Sequence, residues 1–157
     1  LQFMQEQNIT EYDQLSAKVE DAVSRFHSLS EQLRRTEADL SATSELMGAV
    51  VRYAKIRPVF DRYKATKYSR KYLAEHEAEL ADYRAAKAKM GELLGGEKLP
   101  KMAELKEKRR QLAAQKKALY TEYRSAQEEM RQAVAVKANI DHLLGVTDGQ
   151  RKKEQER

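Results

Sequence analysis

Two stretches of the chain repeat apolar and small residues at alternating steps of three and four. The first runs Tyr12, Leu15, Val19, Ala22, Phe26, Leu29, Leu33, Thr36, Leu40, Thr43, Met47, Val50, Ala54. The second follows Gly95-Gly96 and reads Met102, Leu105, Arg109, Leu112, Lys116, Leu119, Tyr123, Ala126, Met130, Ala133, Lys137, Ile140, Leu144. A period of 3.5 keeps one narrow stripe turned toward a partner helix, which is the coiled-coil condition; a helix lying on a globular core carries a wider stripe. Arg109, Lys116 and Lys137 interrupt the second seam, but their aliphatic stems can lie along it while the charges reach water. Each seam spans about 70 Å at ~1.5 Å per residue, and the equal lengths argue for mutual pairing. The pattern predicts an all-α fold, a long antiparallel coiled-coil hairpin with a small helical tip.

Local signals set the expected boundaries of a single helical domain over residues 1–157. Thr10 with Asp13 three residues on resembles a capping pair, so the first long helix is expected over 10–56. Residues 57–98 form the tip. There Pro58 marks a kink or restart, residues 66–69 a turn with Ser69 as N-cap, and Tyr72, His76, Leu80, Tyr83, Met90 and Leu94 a helix that stops at Gly95-Gly96. Pro100 suits a first helical turn, opening a second long helix over 99–145 that Gly145 caps. Residues 146–157 carry no apolar pattern and are expected to be a frayed or disordered tail.

Composition agrees with long solvated helices: 35% of residues are charged, mean hydropathy is −0.83, and there is no Trp. The absence of Cys removes disulfide and thiol chemistry. No stretch is apolar enough to span a bilayer, and residues 1–7 lack the features of a signal peptide, so a cytoplasmic protein without membrane contact is expected. A chain opening on Leu1 is expected to be an excised fragment. His27, His76 and His142 lie on three different stretches, and the sequence holds no HExxH, phosphate loop or GxSxG. Acid pairs such as Glu75/Glu79 and Glu128/Glu129 belong to solvated faces. The expectation is therefore no catalytic residue, no metal and no cofactor.

Charge is unevenly spread. Residues 1–51 carry a net −5, residues 52–72 a net +7 and residues 101–117 a net +5. The 52–72 block also holds four of the eight tyrosines. Cations neutralise phosphates and exposed tyrosine rings stack on bases, so Arg52, Tyr53, Lys55, Arg57, Lys64, Lys67, Tyr68, Arg70 and Lys71 are candidate nucleic-acid contacts. The other reading is that the tyrosines close the tip as a small core, Tyr63, Tyr72 and Tyr83 before Tyr53 and Tyr68, while the cations solvate it. Antiparallel pairing is expected to bring the second basic block, 106–117, alongside the tip.

The stretch Val51-Arg52-Tyr53-Ala54-Lys55-Ile56-Arg57-Pro58-Val59-Phe60, continuing through Tyr68-Ser69-Arg70-Lys71-Tyr72-Leu73-Ala74-Glu75-His76-Glu77-Ala78-Glu79-Leu80, resembles the C-terminal helical region of relaxases. These are the mobilisation nucleases of Gram-positive conjugative and mobilisable elements. Lys98-Leu99-Pro100-Lys101-Met102-Ala103-Glu104-Leu105, the stretch from Tyr120 to Arg124, and Val136-Lys137-Ala138-Asn139-Ile140-Asp141-His142-Leu143-Leu144-Gly145 resemble the closing helix of the same proteins, so the likeness covers roughly residues 30–145. That family nicks DNA with a tyrosine and a histidine-bound metal in a separate N-terminal domain. This chain has no matching histidine motif, so nicking is not carried over. What the resemblance implies is a bacterial accessory domain that holds single-stranded or duplex DNA, or docks conjugation-machinery proteins; independently of it, the two long seams could swap between chains, which leaves a homodimer open beside the intramolecular hairpin. The alternative is a purely structural or protein-docking coiled coil unrelated to DNA.

Overall fold

The computed structural model describes residues 2–155, with side chains at residue 6 and over 10–145. The described residues are all helical or in short connections: α1 Gln2–Ala65, α2 Arg70–Glu75, α3 Glu77–Leu94 and α4 Met102–Gln155. The chain divides into two compact units, residues 1–34 with 116–157, and residues 35–115.

In the first unit α1 packs on α4. Leu29, Leu33, Leu119 and Ala126 form its buried cluster, with the Phe26 and Tyr123 rings in tilted contact beside it at a centroid distance of 5.1 Å. Polar ties follow the same pairing, Arg25 to Glu129 at 2.9 Å and Tyr12 to Asp141 at 2.6 Å. Low-numbered residues of α1 thus meet high-numbered residues of α4. Lys116 and Lys137 are half-buried in the second seam, as their aliphatic stems allow.

In the second unit Leu46, Met47 and Leu105 are the buried centre, flanked by Val50, Met90, Leu93, Leu94 and Met102. Here α1 packs on α3 as well as α4. Thr43 is buried in the seam because its hydroxyl donates to the Asp39 carbonyl at 2.8 Å, leaving a methyl to pack. Ala54 ends the first seam exposed. Its heptad partner is gone: α4 starts at Met102, and beyond Val50 the packing passes to α3 through Tyr53 and Phe60 and to α2 through Tyr63.

Several boundaries differ from expectation. Thr10 is not a cap; α1 already runs from Gln2, and the Thr10 hydroxyl bonds back to the Glu6 carbonyl at 2.9 Å. Pro58 neither ends nor restarts the helix, which continues to Ala65. The packing of Phe60 and Tyr63 beyond it opposes a cost of roughly 3 kcal/mol for an interior proline. Gly145 is not a stop either, since α4 continues to Gln155; one interior glycine costs only about 1 kcal/mol. Residues 156 and 157 of the expected frayed tail lie outside the described residues. Pro100 sits two residues ahead of α4, where the Lys101 backbone N–H donates to the Glu104 carboxylate at 3.2 Å, half of a capping box.

The tip follows the sequence signals. Ser69 caps α2, its hydroxyl accepting from the Tyr72 N–H at 3.4 Å, and Gly95 ends α3 with φ +55°. The predicted helix from Tyr72 to Leu94 is divided at His76, the residue between α2 and α3.

Candidate nucleic-acid interface

The tip is organised by rings. Tyr83 is held between Tyr53, 5.1 Å away, and Phe60, 4.3 Å away with planes only 9° apart. Tyr63 then contacts Phe60, Tyr68 and Tyr72, and Tyr72 lies 4.2 Å from the His76 ring. The Tyr72 hydroxyl donates to the Val59 carbonyl at 2.8 Å, tying α2 to α1. Burial, followed by the hydrogen bond to the Tyr53 hydroxyl at 3.4 Å, pushes the Tyr83 phenol up to about 12. Tyr53, Tyr63, Tyr72 and Tyr83 therefore spend their faces on one another. Phe60, not among the candidates read from the sequence, belongs to this stack; its position three before Tyr63 on one helical face was the available signal.

Tyr68 stands apart at 55% exposure, touching Tyr63 edge-on at 5.2 Å. It sits in the α1–α2 turn, where Lys67 and Tyr68 both take left-handed backbone angles, φ +57° and +62°. Each such non-glycine residue costs on the order of 1–3 kcal/mol. The turn is closed by the Thr66 hydroxyl donating to the Tyr63 carbonyl at 2.7 Å and by the Tyr68 N–H donating to the same carbonyl at 3.0 Å.

The candidate cations fall in three places. Residues 62–71 carry five basic side chains and no acidic one. Of these Lys64, Lys67, Arg70 and Lys71 surround the turn, all exposed, and among the described residues none has an ion partner. Arg57 is set against Asp61 at 3.9 Å. Arg52 and Lys55 line a groove of about 1220 Å³ between α1 and α3, whose other side carries Glu79 and Asp82. Of the second basic block, Lys108 lies beside the end of the tip farthest from the α1–α2 turn, sharing a hollow with Leu93, Leu94 and Glu97 as well as Asp39 and Thr43. Register sets this, because Leu105 packs on Leu46 and Met47.

Among the described residues no group of three or more His, Cys, Asp or Glu is placed to hold a metal, and no helix is long and apolar enough to cross a membrane. No protein-family model, curated protein or solved structure matches the chain, and the likeness to relaxases rests on its own sequence stretches alone.

Proposed function

We propose that the chain is a non-catalytic accessory helical segment that binds DNA through the α1–α2 turn, with α1 and α4 paired as an antiparallel coiled-coil hairpin that presents it. One observation carries the reading: four exposed cations without ion partners, Lys64, Lys67, Arg70 and Lys71, surround the one tip tyrosine whose ring remains open, Tyr68. Cations so placed can exchange solvent and counterions for phosphates, and the open ring can take an unstacked base. The resemblance to relaxases would place this activity in conjugative mobilisation, downstream of a nicking domain, beside docking of transfer-machinery proteins. The stacking of Tyr53, Tyr63, Tyr72 and Tyr83 on one another favours a second reading, a structural or protein-docking tip in which the rings are core.

Binding to single-stranded and duplex DNA across a salt series separates the two. Replacing Lys64, Lys67, Arg70 and Lys71 by Ala is expected to weaken binding and to flatten the logarithmic salt slope by nearly one unit for each phosphate no longer neutralised. Tyr68→Ala is expected to cost a further ~1–3 kcal/mol with single strands and little with duplex. No affinity for either form at low salt, or a quadruple variant indistinguishable from wild type, overturns the DNA reading in favour of the second.

A further inference from the structure

The groove between α1 and α3 has a charge pattern of its own, separate from the turn. Its floor is made of small residues, Gly48, Ala49 and Ala86 among them, and a Cβ added at Gly48 would meet nothing within 4 Å. Along its α1 side lie Glu45, Arg52 and Lys55; along its α3 side lie Lys89, Asp82 and Glu79. The two helices run in opposite directions, because Glu45 pairs with Lys89 at 3.4 Å and Tyr53 stacks on Tyr83. Arg52 is therefore level with Asp82, and Lys55 with Glu79. At all three levels, spread over about 15 Å of helix, the charge on α1 is opposite to the charge on α3.

Only the Glu45–Lys89 level closes within the chain. Among the described residues no ion pair joins Arg52 or Lys55 to Asp82 or Glu79, and the sole ionic neighbour of Glu79 is His76 Nδ1 at 3.8 Å. A surface of this kind matches itself. A two-fold axis along the groove lays α1 of one copy over α3 of the other at unchanged level, so Arg52 meets the second copy's Asp82 and Lys55 its Glu79. Both contacts form twice, because the interface is isologous. The four helices then alternate in direction around a floor of small residues, the arrangement in which helices approach closely. A nucleic acid fits poorly, since half of the groove's charges are acidic.

We infer that this groove is a homodimer interface, occupied by the same groove of a second copy and matched by Arg52–Asp82 and Lys55–Glu79 pairs between copies. The inference is independent of the DNA reading and uses none of the turn cations.

Charge reversal tests it. One chain carries Arg52→Glu with Lys55→Glu, the other Glu79→Lys with Asp82→Lys. Sedimentation equilibrium of the wild-type chain is expected to show a dimer that weakens as salt rises. Each variant alone brings like charges together and is expected to dissociate at least tenfold more readily. An equimolar mixture restores all four pairs, two with the signs exchanged and two as in the wild type, and is expected to recover the dimer as a one-to-one heterodimer. A wild-type chain that stays monomeric at low salt overturns the inference, as do single variants as dimeric as wild type, or a mixture of normally helical variants that stays monomeric. Should a reversed chain lose helicity, Arg52→Gln with Lys55→Gln reads the same contact; a dimer constant and salt dependence unchanged from wild type then overturn it.

Discussion

The Tyr12 hydroxyl donates to the Asp141 carboxylate at 2.6 Å, joining residues 129 positions apart, while Lys137 lies 3.9 Å from the other carboxylate oxygen. This contact and the Leu29, Leu33, Leu119 and Ala126 cluster belong to one register, so the polar tie and the apolar seam specify the same pairing of α1 with α4. A slip by one residue would separate both at once. Agreement between the two kinds of contact is what gives a long seam one alignment rather than several.

Leu119 is the sharpest probe of that seam. Leu119→Ala is expected to destabilise the fold by about 2–4 kcal/mol, and Leu119→Asp by more, because a carboxylate buried there has no partner. Ala118→Asp, one position away on the exposed face, should change stability by no more than ~0.5 kcal/mol. Thermal melts followed by circular dichroism compare the three; equal effects would remove the seam assignment.

Pro58 offers a stabilising change. It lies inside α1 on an exposed face, where its ring withholds a hydrogen bond from the Ala54 carbonyl. Pro58→Ala is expected to raise stability by roughly 1–3 kcal/mol, the gain being reduced by the greater freedom of the unfolded chain. Urea titration reads this directly, and a lowered midpoint would show that the proline is required by the tip.

The turn makes a complementary prediction. Lys67→Gly relieves a left-handed lysine and is expected to stabilise by up to about 1 kcal/mol while removing one cation. Tyr68→Gly relieves the same kind of strain but gives up the edge-on packing against Tyr63, so it should gain less. The difference between their melting temperatures measures that packing.

Alkaline pH should loosen the tip before the Tyr83 phenol itself ionises. The folded chain holds this phenol near 12, above the ordinary value of about 10, so between those values the unfolded chain has released a proton that the folded chain retains. Stability is then complete below pH 10 and declines as pH rises toward 12. Tyr83→Phe should flatten that decline. Melting temperatures measured across this range for both chains check the sign, and identical slopes would show that Tyr83 does not contribute.

Heptad spacing was enough to place most seam residues at least half-buried, with the polar Thr36 and Thr43 fully so and Ala54, Arg109 and Leu144 exposed, and the turn chemistry of Ser69 and Gly95 placed two caps. The failures share a cause. Thr10, Pro58 and Gly145 are local start, break and stop signals that a long helix with good formers on both sides overrides at a cost of about a few kcal/mol. At the site, the division of Tyr68 from the stacked tyrosines and the placing of Arg52 level with Asp82 across a groove depend on how α3 lies against α1. No periodicity within α1 encodes that register.

The aromatic stack also gives the chain an internal optical label. There is no tryptophan, and five of the eight tyrosines, Tyr53, Tyr63, Tyr68, Tyr72 and Tyr83, are in ring contact at the tip. Near-ultraviolet dichroism is therefore weighted toward the order of the tip, whereas far-ultraviolet dichroism is dominated by α1 and α4. A change that unpacks the rings while sparing the long helices would silence the first signal and leave the second in place.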